Sequence, residues 1–179
     1  MTRKEKYNRT RKRTIQRANV RALRIIRKFK FATAEDAKKK LPLVFHGEGA
    51  FRKSYRIAGT SLLIKFPVTQ ANDGSYGYWS DRAHTRSEVR KIRMLAKYKS
   101  LRPHVPPVYY FDSKNGVIVT RFYPATSELR TLGAMRNVLT KVIREFAGVV
   151  LEDLSGDNAT VTRRTGSERG RLIFLDLGY

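Results

Sequence analysis

Val150-Leu-Glu-Asp153-Leu-Ser-Gly-Asp-Asn158 and, fifteen residues further on, Ile173-Phe-Leu-Asp176-Leu-Gly178 are the two stretches that decide how this chain is read. Asp153 precedes Asn158 by five residues, and Asp176 stands directly before Leu177-Gly178. Carboxylate and carboxamide oxygens are what a hard divalent cation prefers as ligands. A further carboxylate close by can orient a hydroxyl and take its proton. Between the two stretches, Thr160–Arg163 and Leu172–Leu175 read as a last pair of strands, joined by the polar, flexible Arg164-Thr-Gly-Ser-Glu-Arg-Gly-Arg171.

Working upstream, Gly47-Glu-Gly49-Ala-Phe51 is a glycine-containing turn, after which Tyr55 resumes an apolar strand. Gly59-Thr60 is a second turn, and Ser61-Leu-Leu-Ile-Lys65-Phe66 reads as a buried strand ending near a single lysine. His84-Thr-Arg-Ser-Glu88 then opens a helix. Glycine loop, lysine, glutamate, D-x-x-x-x-N and D-x-G follow one another in an order that resembles the protein-kinase-like superfamily. The resemblance covers roughly residues 42–179.

That resemblance implies an α+β, minimal kinase-like fold. It has a five-stranded antiparallel N-lobe sheet (31–122) with an αC-type helix, and a much reduced C-lobe (123–179). It implies an ATP- and Mg²⁺-dependent kinase passing the γ-phosphate to a hydroxyl of a protein serine or threonine, or of the chain itself. Lys65 would hold the α/β-phosphates and Glu88 would aim it, while Gly47 and Gly49 let backbone N–H groups approach the phosphates. Phe51, Thr120 and Tyr123 complete the nucleotide-binding set. Asn158 and Asp176 would bind Mg²⁺, and Asp153 would orient the accepting hydroxyl. Catalysis of this kind is mostly positioning and electrostatic stabilisation.

The sequence also departs from the pattern. Arg52 replaces the third loop glycine, Ser54 stands where valine often covers adenine, and the bulky Leu63 narrows the adenine slot. Leu151-Glu152 replaces H-R, and Ser155 replaces a lysine found in protein serine/threonine kinases, though small-molecule kinases of the aminoglycoside phosphotransferase type lack it too. Arg52, Lys53 or Arg163 are the candidates to supply that charge. Tyr179 follows Gly178 at once, so the reading expects no activation segment and an outline similar to short bacterial YrbL-type proteins and some phage kinase domains. It also expects a homodimer that covers the open side of the reduced lobe. Two other functions fit: a pseudokinase whose cleft and basic arm bind nucleic acid or an acidic protein, and a small-molecule kinase. Each site residue alone also has an ordinary reading, such as a strand-end lysine at Lys65 or a Glu88–Lys91 pair on a helix surface.

Composition bounds these readings. The chain has 179 residues, 41% of them apolar, no cysteine and three histidines, which excludes disulfides and thiolate metal sites and disfavours zinc. No run of about 18 apolar residues and no apolar leader is present, so a soluble cytoplasmic protein is expected. The net charge of +23 is concentrated in residues 1–30, with thirteen Lys or Arg against one Glu. Residues 3–13 are expected to be extended or disordered by charge repulsion, and residues 1–13 to bind polyanions, whether nucleic acid or acidic protein. From Ile15, apolar residues at Ala18, Ala22, Ile25 and Phe29 predict an amphipathic helix, with Arg17, Arg21, Arg24 and Lys28 on its other face. That helix either presents its arginines to an anionic partner or simply packs its stripe on the body.

The remaining elements follow from local signals. Thr33 caps a short helix ended by Pro42, and Leu43–His46, Arg52–Ala58 and Leu62–Phe66 read as strands. Residues 67–83 read as a loop and Arg86–Tyr98 as a helix. Val108–Phe111 and Val117–Phe122 flank a hairpin turn at Asp112–Gly116. A hinge at 123–128 precedes a long amphipathic helix over 129–148.

Overall fold

The computed structural model describes residues 2–49, 52–68, 78–124, 137, 139–141, 144, 159–161 and 172–174. The chain divides into two units, Met1–Arg82 with Tyr109–Phe122, and Ala83–Val108 with Tyr123–Tyr179. The first holds helices α1 (Arg3–Phe29) and α2 (Ala34–Lys38) and strands β1 (Leu43–Glu48), β2 (Arg52–Ile57) and β3 (Leu62–Pro67). Strands β4 (Val108–Asp112) and β5 (Val117–Arg121) complete its sheet, in the order β1-β2-β3-β5-β4. Helix α3 (Tyr78–Leu95) lies between β3 and β4 in sequence, and a short 3-10 helix spans Arg102–His104. In the second unit, β6 (Ala159–Val161) pairs with β7 (Leu172–Phe174) antiparallel. This is an α+β protein with a five-stranded sheet whose β1-β2, β2-β3 and β3-β5 pairs are antiparallel, as expected. No helix among the described residues is long and apolar enough to cross a membrane.

Residues 3–13 correct the expectation of an extended arm: they are the first half of one 27-residue helix. Neither glycine nor proline occurs before Pro42, and Lys, Arg and Gln are good helix formers. A capping box starts the helix: the Thr2 hydroxyl accepts from the Glu5 N–H (3.2 Å), and the Glu5 carboxylate accepts from the Thr2 N–H (2.6 Å). Each like-charge i,i+4 pair costs only about 0.2–0.5 kcal/mol, too little to undo so long a helix. Helix α3 likewise begins at Tyr78, inside the stretch expected to be a loop, and ends at Leu95.

The apolar stripe of α1 is part of the core. Ala22 and Ile26 pack with Phe31, with Ala34 and Ala37 of α2, and with Tyr55, Ile57, Leu62, Ile64, Phe66, Val117 and Val119 of the sheet. Polar contacts fix the helix further. The Asn19 amide donates to the Ser61 hydroxyl (2.9 Å) and accepts from the Ser61 N–H (3.0 Å), which ties α1 to the β2–β3 turn. That turn needs Gly59, whose φ is +72°. Lys30 ends the helix in a left-handed conformation (φ 46°), its N–H bonded to the Ile26 carbonyl at 2.9 Å. Its own carbonyl accepts from the Asn115 amide (3.1 Å), so the β4–β5 hairpin holds the cap in place.

Two substitutions test this account by urea unfolding. Ile26→Ala is expected to lower stability by about 2–4 kcal/mol through a core cavity. Lys30→Gly keeps the same backbone bonds while removing a strained Cβ, and is expected to raise stability by about 0.5–1 kcal/mol. A Lys30→Gly protein less stable than the parent would mean that the left-handed cap is not strained.

Candidate nucleotide and catalytic site

Strand β3 is buried along its whole length, because β2 and β5 flank it and both of its faces are covered. Side chains alternate along a strand, so Leu62, Ile64 and Phe66 serve the core beneath α1 and α2. Leu63, Lys65 and Pro67 belong to the other face. Cross-strand register extends that face: Gly47 pairs with Ser54, Ser54 with Lys65, and Lys65 with Ile118. Leu63 pairs with Thr120, and Arg52 with Pro67. Lys65 is only 4% exposed, Arg52 and Thr120 are also buried, and neither Arg52 nor Lys65 is without a partner. The paired positions of β2, β3 and β5 on this face carry Arg52, Arg56 and Lys65 and no carboxylate. Arg52 and Lys65 are thus buried cations held by partners, while Arg56 is exposed.

The two loop glycines sit on the β1–β2 hairpin, closed by the Gly49 N–H donating to the Arg52 carbonyl (2.9 Å). A bulge between Phe45 and Gly47 shifts the register just before them. Neither glycine adopts positive φ, and a Cβ built on either would meet nothing within 4 Å among the described residues. The fold therefore has no need of glycine at Gly47 or Gly49. The space over their backbone is open among the described residues, with the Gly49 N–H already taken up by the hairpin bond.

On the same sheet face, sequence reading missed a cluster made by Phe122. The His46 ring lies edge-on to Phe122 (5.1 Å between centroids), and the Arg56 guanidinium stands over the Phe122 ring at 5.6 Å. The bulge in β1 is what turns His46 this way, and nothing in the spacing of the sequence announces it. Tyr123, the next residue, is half-buried.

In the second unit, α3 buries Thr85, Glu88, Val89, Ile92 and Leu95, one helical stripe with a carboxylate at its centre. Glu88 is 0% exposed, which corrects the alternative of a surface glutamate. A carboxylate is retained at such a position only where it is held by polar partners, since burying it alone is costly. Glu88 is not without a partner. Past α3, the Arg102 side chain donates to the Ala96 carbonyl (2.8 Å), satisfying an orphan acceptor at the helix end. His104 Nδ1 lies 2.9 Å from the Leu172 carbonyl, which anchors the 3-10 helix to β7.

The β6–β7 ladder pairs Ala159 with Phe174, and Leu172, Ile173 and Phe174 are all buried. From this one end of the ladder the chain continues to Asn158 on one strand and toward Asp176 on the other. Asp153, Asn158 and Asp176 themselves, like Phe51 and most of 129–148, lie outside the described residues. Asn137, Leu139–Lys141 and Arg144 are helical. Among the described residues no cluster of three or more His, Cys, Asp or Glu could hold a metal ion.

No protein-family profile and no curated protein matches the sequence. Among solved structures, the chain is similar to PpkA-294 in its apo form, with 23% identity and a TM-score of 0.47 over 75% of this chain. It is also similar to a choline/ethanolamine kinase family protein from Mesorhizobium loti, with 18% identity and a TM-score of 0.43 over 83% of this chain. The matches cover 56% and 62% of those chains, so this protein spans less than two thirds of either.

The glycines give a test that separates folding from binding. Gly47→Ala and Gly49→Ala are expected to change stability by no more than about 0.5–1 kcal/mol, in the stabilising direction if at all. Gly59→Ala, at positive φ, is expected to cost about 1–2 kcal/mol. The two loop variants are nonetheless expected to weaken any thermal shift that added ATP produces. A large loss of stability in Gly47→Ala without ATP would show that the fold itself requires this glycine.

Proposed function

We propose that this protein is an ATP-dependent phosphotransferase acting on a hydroxyl of a protein or of the chain itself. The observation that carries the reading is Lys65: an ammonium buried at mid-sheet, on the face turned away from the core, in one cross-strand row with Gly47 and Ser54. A buried point charge on the sheet face that also bears Gly47 suits the α/β-phosphates of a nucleotide. Glu88, buried in the stripe of α3, is the residue we assign to holding that lysine in position.

In the proposed reaction the acceptor oxygen forms a bond to the γ-phosphorus as the bond to the bridging oxygen of ADP breaks. The hydroxyl proton passes to the Asp153 carboxylate. Asn158 and Asp176 are the groups we assign to Mg²⁺, which would neutralise charge on the phosphate oxygens. Arg52, buried on the Lys65 face, is the candidate for the cation that Ser155 does not provide. Kinship with short YrbL-type kinases is part of this proposal.

One observation favours a second reading, nucleotide binding without transfer. Leu63, buried opposite Thr120, stands where the V-A-I-K pattern carries alanine, a departure that fits a catalytically weak kinase. Transfer to a generic protein acceptor or to the chain itself, followed by mass spectrometry, decides between the two. Lys65→Ala and Asp176→Ala are each expected to lower the rate by ~10²–10³, as loss of one well-aimed charged group commonly does. Asp153→Asn should abolish transfer while leaving the ATP-induced thermal shift intact. Turnover unchanged in Lys65→Ala would remove the assignment, and a thermal shift with no transfer by the parent protein would establish the second reading.

A further inference from the structure

The face of α1 opposite the sheet carries Arg13, Arg17, Arg21 and Arg24, with Gln16 and the exposed Val20 between them. At 3.6 residues per turn these positions point away from Ala22 and Ile26, which the core takes. The row spans about 16 Å of a helix about 40 Å long. Within Arg3–Phe29 there are twelve Lys or Arg and one carboxylate, Glu5, which is used at the N-terminal cap. Arg9–Arg13, Arg13–Arg17, Arg17–Arg21 and Arg24–Lys28 are all like-charge pairs at i,i+4, each of which destabilises the helix by itself. Among the described residues, Arg13, Arg17, Arg21 and Arg24 make no hydrogen bond or ion pair, whereas Arg27 donates to the Tyr109 carbonyl (3.4 Å). An anionic partner would turn the repulsion into attraction.

The chemistry of the surface narrows the partner. Insertion into a lipid surface as an amphipathic helix needs the apolar stripe, and the sheet already holds it. Stacking on single strands needs a run of aromatic platforms, whereas the exposed aromatics of α1 are Tyr7 and Phe29, far apart along the helix. A rigid line of guanidiniums suits a rigid line of phosphates. Toward the N-terminal half, Arg11, Lys12 and Arg121 also line a concavity of about 470 Å³ with Tyr109, which extends the positive surface around the helix.

We infer that α1 is a docking helix for double-stranded nucleic acid, engaging the phosphate backbone through Arg13, Arg17, Arg21 and Arg24. This inference stands apart from the phosphotransferase proposal. Because the opposite face of the helix is packed on the sheet, binding is to backbone and not to base edges, and sequence preference is slight.

Fluorescence anisotropy with a 24-base-pair duplex, between 50 and 200 mM salt, tests it. With four phosphates neutralised, the log–log salt slope should be about −3.6 or steeper, a loss of about 10²-fold across that range. R13Q/R17Q/R21Q/R24Q should flatten the slope by about 3 to 4, and its unliganded melting temperature should not fall, since like-charge pairs are removed. The duplex should raise the melting temperature of the parent protein and not that of the variant. A second exposed row of cations, on and just past α3, gives a charge-matched control, R86Q/R90Q/R93Q/K97Q, which should retain the parental slope. Equal loss in both variants would overturn the inference, as general charge attraction would then explain it. Tighter binding to phosphatidylserine vesicles than to the duplex, or no salt-dependent duplex binding, would overturn it as well.

Discussion

A lysine in a strand that has no solvent face is the constraint on which this structure turns. β3 lies between β2 and β5, all six of its residues are buried, and its two faces serve different ends. Leu62, Ile64 and Phe66 bind the sheet to α1 and α2 through dispersion and desolvation. Lys65, one position out of phase, lies on the face that also bears Arg52, Ser54, Arg56 and Thr120. A one-residue slip of β3 would exchange these sets and put an ammonium into the apolar core. Register is therefore as strongly specified here as anywhere in the chain.

Much of this was legible because its causes are local. The apolar run Leu62–Phe66 with its single lysine and the turn residues Gly59-Thr60 and Asp112–Gly116 place the strands to within a residue or two. The second turn behaves as its composition suggests, with the Asp112 carboxylate accepting from the N–H groups of Lys114 and Asn115 (2.9 and 3.2 Å) and Gly116 at φ 66°. Residues 3–13 are helical because propensity outweighs repulsion: seven charges on a helix are spread around its circumference and screened by salt. The start of α3 was hidden by Tyr78-Trp79, whose aromatic rings gave no periodicity to read.

The candidate site was legible in kind and order, through Gly47, Gly49, Lys65 and Glu88. Its surroundings were not. The β1 bulge that brings His46 to Phe122 leaves no trace in spacing, and the burial of Arg52 depends on which face of β2 it occupies. A sequence states which groups are available, whereas parity and bulges determine which of them share a surface.

The pair of bonds between Asn19 and Ser61 has a consequence at the far side of α1. A narrow apolar stripe such as Ala22 and Ile26 resists lifting the helix off the sheet but only weakly resists sliding or rolling it. One residue of slippage moves the helix by about 1.5 Å and turns it by about 100°. The Asn19 amide tolerates neither displacement, because it must reach one hydroxyl and one N–H of the same residue at once. It works as an indexing pin. The azimuth at which Arg13, Arg17, Arg21 and Arg24 leave the helix is set by a carboxamide on its opposite side, so the guanidiniums share one face of the helix.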